Sequence, residues 1–165
     1  MNSQRKILSL RALQKKIASF RRSGGGAKTV VFTNGCFDLL HAGHVQYLER
    51  AKRMGDVLII GLNSDASIRR LKGSARPIVP QRARAAVVAA LGCVDYVTIF
   101  TADTPQRLIA ALAPDILVKG ADWKTADISG ADTVRRAGGC VRRVRLREGF
   151  STTQLIRKIV DTCRV

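Results

Sequence analysis

Aromatic side chains, histidine and negative charge are all scarce in this 165-residue chain. Aromatics make up 5% of it and seldom interleave with the basic pairs Arg21-Arg22, Arg69-Arg70, Arg135-Arg136 and Arg142-Arg143, so the base-stacking platform of a single-strand nucleic-acid binder is missing. Nucleic acid is therefore not the expected partner. No apolar run approaches the roughly 18 residues that suggest a membrane span, and Met1 to Lys6 lacks the apolar stretch of a secretory signal. A soluble, cytoplasmic protein without membrane insertion is expected. The four cysteines, Cys36, Cys93, Cys140 and Cys163, lie far apart with no CxxC pair, which fits reduced thiols better than a disulfide or zinc framework. Only 12 acidic residues stand against 29 basic ones, a formal net charge of +17. Such a surface attracts anions of any kind, and charge alone does not choose among nucleic acid, lipid and phosphorylated metabolites.

What is present suits one domain with a sizeable core, since 46% of the residues are hydrophobic. Ile7, Leu10, Leu13, Ile17 and Phe20 form one apolar stripe, which predicts an amphipathic first helix closed by Ser23-Gly24-Gly25-Gly26. Residues 1–27 thus read as a basic helix and glycine linker, and 28–165 as a single domain. Strand and helix signals then alternate. Thr29 to Thr33, Asp56 to Leu62, Tyr96 to Phe100, Ile116 to Lys119 and Val141 to Leu146 read as strands. Helices are expected over Val45 to Met54, from a Ser64 cap to Leu71, over Gln81 to Leu91, after Thr104-Pro105, over Gly130 to Ala137, and from a Ser151 cap toward Cys163. About five strands separated by helices imply a doubly wound, parallel α/β sheet with flanking helices, a Rossmann-like arrangement. Ligands bind such sheets beyond the carboxyl ends of the strands.

The two histidines fall at that position. His41-Ala42-Gly43-His44 follows the first apolar run and its tail Asn34-Gly35-Cys36-Phe37-Asp38, where a strand hands over to a helix N-terminus. Unpaired backbone N–H groups and the positive end of the helix dipole gather there and favour a polyphosphate. The imidazoles add donors, and Gly43, lacking a Cβ, would let a phosphate approach the backbone. Two other readings stay open at this level. The pair could ligate a metal with Asp38 as a third group, although no further His and no Cys cluster completes such a site. It could also be ordinary capping or packing. Cys36 reads as a small buried residue and not as a nucleophile. Lys119-Gly120-Ala121-Asp122-Trp123 and Gly149-Phe150-Ser151-Thr152-Thr153 follow later strands and should reach the same edge, the second as a phosphate cradle or purine contact. Asn63, Asp65 and Lys72 follow the second strand, with Lys72 suited to neutralise a phosphate.

Together with Arg76-Pro77-Ile78, these segments resemble the HxGH nucleotidyltransferases of the cytidylyltransferase-like superfamily, and more closely the adenylyltransferase domain of bacterial ADP-heptose synthase. The similarity runs in order from about Leu8 to about Ile159. The resemblance implies adenylyl transfer from ATP to D-glycero-β-D-manno-heptose 1-phosphate with Mg²⁺ present, giving ADP-heptose for the lipopolysaccharide core and releasing pyrophosphate. It implies catalytic roles for His41, His44 and Lys72. It places Asn34, Gly35, Phe37, Asp38, Gly43, Lys119, Asp122, Trp123, Ser151, Thr152 and Thr153 around the nucleotide, and Asn63, Asp65, Arg76 and Arg84 around the sugar phosphate. Asp38 is the one residue suggested for Mg²⁺. A separate heptose kinase upstream and a homodimer are the expected partners. Two departures stand out. Leu146 replaces the arginine of the cytidylyltransferase pattern RTEGISTT, which favours the heptose branch. Gln81 and Ala83 replace acidic residues, so an ion pair positioning Arg84 is in doubt. The alternatives are a relative making CDP-glycerol or another NDP-sugar, and a basic nucleic-acid-binding module that keeps the fold without catalysis.

Overall fold

In the computed structural model, which describes residues 2–22, 26–145, 147 and 149–163, five parallel strands form one sheet. They are β1 (Val30–Gly35), β2 (Val57–Asn63), β3 (Tyr96–Phe100), β4 (Ile116–Gly120) and β5 (Cys140–Val144), in the order β3-β2-β1-β4-β5. Seven α-helices are described: α1 (Leu10–Arg22), α2 (Ala42–Lys52), α3 (Asp65–Lys72), α4 (Gln81–Ala90), α5 (Gln106–Leu112), α6 (Ala131–Arg136) and α7 (Thr152–Cys163). The strand order runs outward in both directions from β1, so the crossovers diverge between β1 and β4. This is the switch point of a Rossmann-like sheet.

The central strands are continuous apolar runs because both of their faces are covered. In β2 all seven residues are buried, and alternate side chains feed opposite cores. Leu58, Ile60 and Leu62 pack with Val31 of β1, Leu48 and Ala51 of α2, and Val88 and Ala89 of α4. Val57 and Ile59 pack with Val30 and Phe32, with Leu13 and Ile17 of α1, and with Leu108, Ile109 and Leu112 of α5. Gly61 interrupts the run because a Cβ there would come within 2.7 Å of the Phe32 ring tip.

Most elements lie where hydrophobic pattern and caps put them. The Ser64 hydroxyl accepts from the Ser67 amide to start α3, and Tyr96–Phe100 is the third strand. The N-terminus differs. Ile7 is not part of the first helix but bridges Val97 in parallel, and the Leu8 amide donates to the Val97 carbonyl at 2.9 Å. The open backbone edge of β3 takes up these residues, and α1 starts only at Leu10, where the Ser9 hydroxyl accepts from the Ala12 amide. A 3₁₀ turn over Ser3–Lys6 precedes it. The opposite edge, β5, carries exposed Arg142 and Arg143, charges that discourage edge-to-edge pairing. Part of the expected glycine linker, and Leu146 at the expected end of the fifth strand, lie outside the described residues. No described helix is long and apolar enough to cross a membrane.

Candidate active site

A cavity of about 750 Å³ opens at the carboxyl edge of the sheet, and every strand-to-helix crossing contributes to its wall. His41, Gly43 and His44 come from the β1–α2 turn, Asn63 and Lys72 from β2 and α3, and Asp103, Thr104 and Pro105 from the connection after β3. Lys119, Gly120, Asp122 and Trp123 follow in β4 and its loop, and Arg147 and Phe150 to Thr153 come after β5.

His41 is the N-cap of α2. Its Nδ1 accepts from the His44 amide at 3.3 Å, which leaves Nε2 to carry the proton and to donate. The capping and phosphate readings of this residue are therefore compatible. The two rings stack with centroids 3.8 Å apart and 22° between planes. Burial, helped by the nearby His41 and Lys72, lowers the His44 pKa to about 4, so its imidazole is neutral at pH 7. Its Nδ1 is buried and has no hydrogen-bond partner among the described residues. Such an orphaned polar atom is unusual in a folded protein. Phe37 backs His44 with centroids 5.2 Å apart, and its backbone lies in the left-handed region (φ 45°), a strained conformation for a residue with a side chain. The space above Gly43 is already filled, because a Cβ there would lie 3.0 Å from His41 Nδ1 and 3.2 Å from Phe150 Cβ. Gly43 thus permits close packing of the turn, a demand the sequence did not reveal.

Lys119 is 7% exposed, donates to Asn34 Oδ1 and lies 5.4 Å from the Trp123 ring centroid. Burial lowers its pKa to about 8 against the opposing pull of Asp122. Trp123 is exposed at the cavity, a flat face open to a base. Ser151 accepts from the Gln154 amide at 3.1 Å and so caps α7 while Ser151, Thr152 and Thr153 line the wall. Asn34, Gly35, Phe37 and Arg76 also line it.

Asp38, Asp65 and Arg84 do not line the cavity, and the structure shows what they do instead. The Asp38 carboxylate accepts from the Ile78 and Val79 amides at 2.9 Å each and pairs with Arg76 at 2.7 Å, fixing the loop that joins α3 to α4. Burial pushes its carboxyl up, but these three donors outweigh it and leave the pKa below the ordinary value. With its oxygens engaged in this way, Asp38 is poorly placed to hold a metal. Arg84 is buried, donates to the carbonyls of Val79, Cys36 and Asn63, and pairs with Asp65 at 2.7 Å. The ion pair in doubt from Gln81 and Ala83 is thus supplied by Asp65, whose amide donates to the Gln81 side chain. These two residues brace the cavity from behind and are not part of its lining.

The lining also includes residues that the sequence did not offer for the site, among them Tyr47, Asp103, Ser129 and Arg147. Tyr47 follows His44 by three positions, one helical turn, and its hydroxyl bonds Thr33 and the Val118 carbonyl. Asp103 lies in the connection just beyond the carboxyl end of β3, a position that is itself a topological signal. Its carboxylate pairs with Arg70.

The chain matches the cytidylyltransferase-like family over residues 32–158. It belongs to that family. A cytidylyltransferase-like domain of this kind is a nucleotidyltransferase. The bifunctional protein HldE of Syntrophotalea carbinolica is 53% identical over 156 residues, covering 94% of this chain and 31% of that protein. HldE of Helicobacter pylori is 49% identical over 158 residues, with 96% and 32% covered. The chain spans about a third of the length of the curated relatives it matches. Among solved structures, the lipopolysaccharide core biosynthesis protein from Thermoplasma volcanium superposes with a TM-score of 0.60 at 29% identity, covering 73% of this chain and 97% of that one. A protein of unknown function from Archaeoglobus fulgidus, at 20% identity and a TM-score of 0.58, shares the fold.

Proposed function

We propose that this cytidylyltransferase-like domain transfers the adenylyl group of ATP to D-glycero-β-D-manno-heptose 1-phosphate, giving ADP-heptose for the lipopolysaccharide core and releasing pyrophosphate. One observation carries the reading. Two stacked imidazoles, one capping a helix and one holding an orphaned buried nitrogen, stand at the switch point of the sheet beside Lys72. The likeness to the HldE relatives and to the lipopolysaccharide core biosynthesis protein of Thermoplasma volcanium supports this reading.

A phosphate oxygen of the sugar phosphate attacks the α-phosphorus of ATP. The new P–O bond forms as the bond to the bridging α,β oxygen breaks, and pyrophosphate leaves with that electron pair. The attacking group is already an anion, so no strong general base is required. Positioning and charge stabilisation do the work. His41 donates from Nε2, the free amides at the start of α2 face the polyphosphate, and Lys72 neutralises charge. Ser151, Thr152 and Thr153 close around the phosphates and the nucleotide, and Gly43 lets the turn that carries both histidines pack tightly. Asn34, Gly35, Phe37 and Lys119 form the floor, and Asp122 and Trp123 face the nucleoside. Asn63 and Arg76 face the sugar phosphate.

Magnesium is part of this reading, and the donor chemistry accords with an ion that arrives on the triphosphate. Among the described residues no three His, Cys, Asp or Glu side chains cluster as ligands, and Mg²⁺ at phosphates commonly needs only one or two carboxylates. Asp122 would supply one, and the ion would offset charge on the phosphates.

The test is pyrophosphate release with ATP or CTP crossed against heptose 1-phosphate, glycerol phosphate and other sugar phosphates. ATP with heptose 1-phosphate is expected to be the fastest pair. A strong preference for CTP would replace the reading with a related nucleotidyl transfer.

A further inference from the structure

Phe150 has no role in the chemistry above, yet its ring lies over His41 with centroids 6.3 Å apart and 30° between planes. Aromatic rings attract at such separations. His41 also stacks on His44 at 3.8 Å, and His44 in turn meets the tilted Phe37 ring at 5.2 Å. Arg147 completes the file, its guanidinium carbon 4.8 Å from the Phe150 centroid, inside the ~6 Å reach of a cation–π contact. Five side chains from the first and last strand-to-helix crossings therefore form one continuous column of ring contacts, and all five line the cavity. The contact between the two crossings is close, since the empty Cβ position of Gly43 lies 3.2 Å from Phe150 Cβ.

We propose that Phe150 is a positioning residue that holds the His41 ring together with His44 and fixes Arg147 at the cavity as a further cation for the anionic substrates. Apart from these stacked rings, the His41 side chain is oriented among the described residues by one long hydrogen bond, the 3.3 Å contact from the His44 amide to Nδ1. Rotation about its ring torsion would swing Nε2 away from the phosphates, and the stacked rings of His44 and Phe150 oppose it. A guanidinium is planar and offers paired donors that match phosphate oxygens, and stacking on Phe150 sets its plane. The inference rests on the adenylyl-transfer reading for its consequence in turnover, but not for the geometry of the column.

That separation makes it testable without substrate. The chain has only two histidines, so each imidazole is resolved in a ¹⁵N–¹H spectrum, with His44→Gln providing the assignment. Phe150→Ala is expected to remove the ring-current shift of the His41 carbon-bound protons, and Phe150→Tyr to keep it. Phe150→Leu, which preserves bulk, gives the same loss if the alanine variant does not fold. In turnover, Phe150→Ala lowers kcat by about ten- to a hundredfold with a much smaller change in KM for ATP, and Phe150→Tyr restores it. Arg147→Gln weakens pyrophosphate binding while leaving the His41 resonances in place. An unchanged His41 spectrum in both Phe150→Ala and Phe150→Leu overturns the proposal, as does a kcat loss that Phe150→Tyr fails to restore. If the wild-type protein turns over no nucleotide with any sugar phosphate, the adenylyl-transfer reading falls, while the substrate-free spectrum still decides the column.

Discussion

One imidazole does two things at His41, and the two can be separated by substitution. Nδ1 caps α2 and Nε2 is left to donate. Asparagine keeps a capping acceptor but has no donor in the Nε2 position, so His41→Asn is expected to hold stability within about 1 kcal/mol while turnover falls about 10²–10³-fold. Urea unfolding and pyrophosphate release check the two halves, and lost stability with retained turnover would reverse the assignment. His44 makes a pH prediction. Its folded pKa is about 4 against an ordinary 6.5, so between these values the unfolded chain binds a proton that the native site refuses. Its contribution to stability is complete above pH 6.5 and is lost as pH falls toward 4. His44→Gln should flatten the fall in urea midpoint over that window, and an unchanged slope would place the titration elsewhere. At this scale the histidine pair and the Ser151 cap were legible, because they lie next to strong strand and helix patterns. Asp38, Asp65 and Arg84 were not. Whether a polar side chain points into a cavity or turns back onto nearby carbonyls depends on packing that no spacing rule encodes.

The elements behind the cavity are held by Arg84, which ties the end of β2, the tail of β1 and the loop before α4 through three carbonyls and Asp65. Removing one partner of a buried pair leaves an uncompensated charge, so Asp65→Ala is expected to cost about 3–5 kcal/mol, read from chemical denaturation. A loss of less than ~1 kcal/mol would mean that the carbonyls alone satisfy the guanidinium. Strands were legible because burial on two faces produces unbroken apolar runs, as in Val57–Asn63. The start of α1 was misjudged at Ile7 because strand-edge pairing with Val97 is a long-range contact that overrides a local helical stripe.

The whole molecule carries +17. Five ion pairs are seen among the described residues, against 29 basic side chains in the chain. Self-repulsion therefore works against the compact state and is screened by salt. The thermal midpoint is expected to rise from low salt to physiological ionic strength, and to rise further with millimolar pyrophosphate than with sodium chloride of equal ionic strength. A midpoint that falls with salt would show that attractive pairs dominate. The parallel, doubly wound class was legible from alternating strand and helix signals, whereas the order β3-β2-β1-β4-β5 depends on how each crossover packs.

The account turns on polyphosphate sitting against the imidazole pair. The most direct test is the pKa of both histidines, followed by NMR with and without a saturating non-hydrolysable ATP analogue and Mg²⁺. Phosphate charge beside the rings should raise the His44 pKa from about 4 and shift the resonances of both. Two histidines that titrate identically in free and nucleotide-saturated protein would contradict the account.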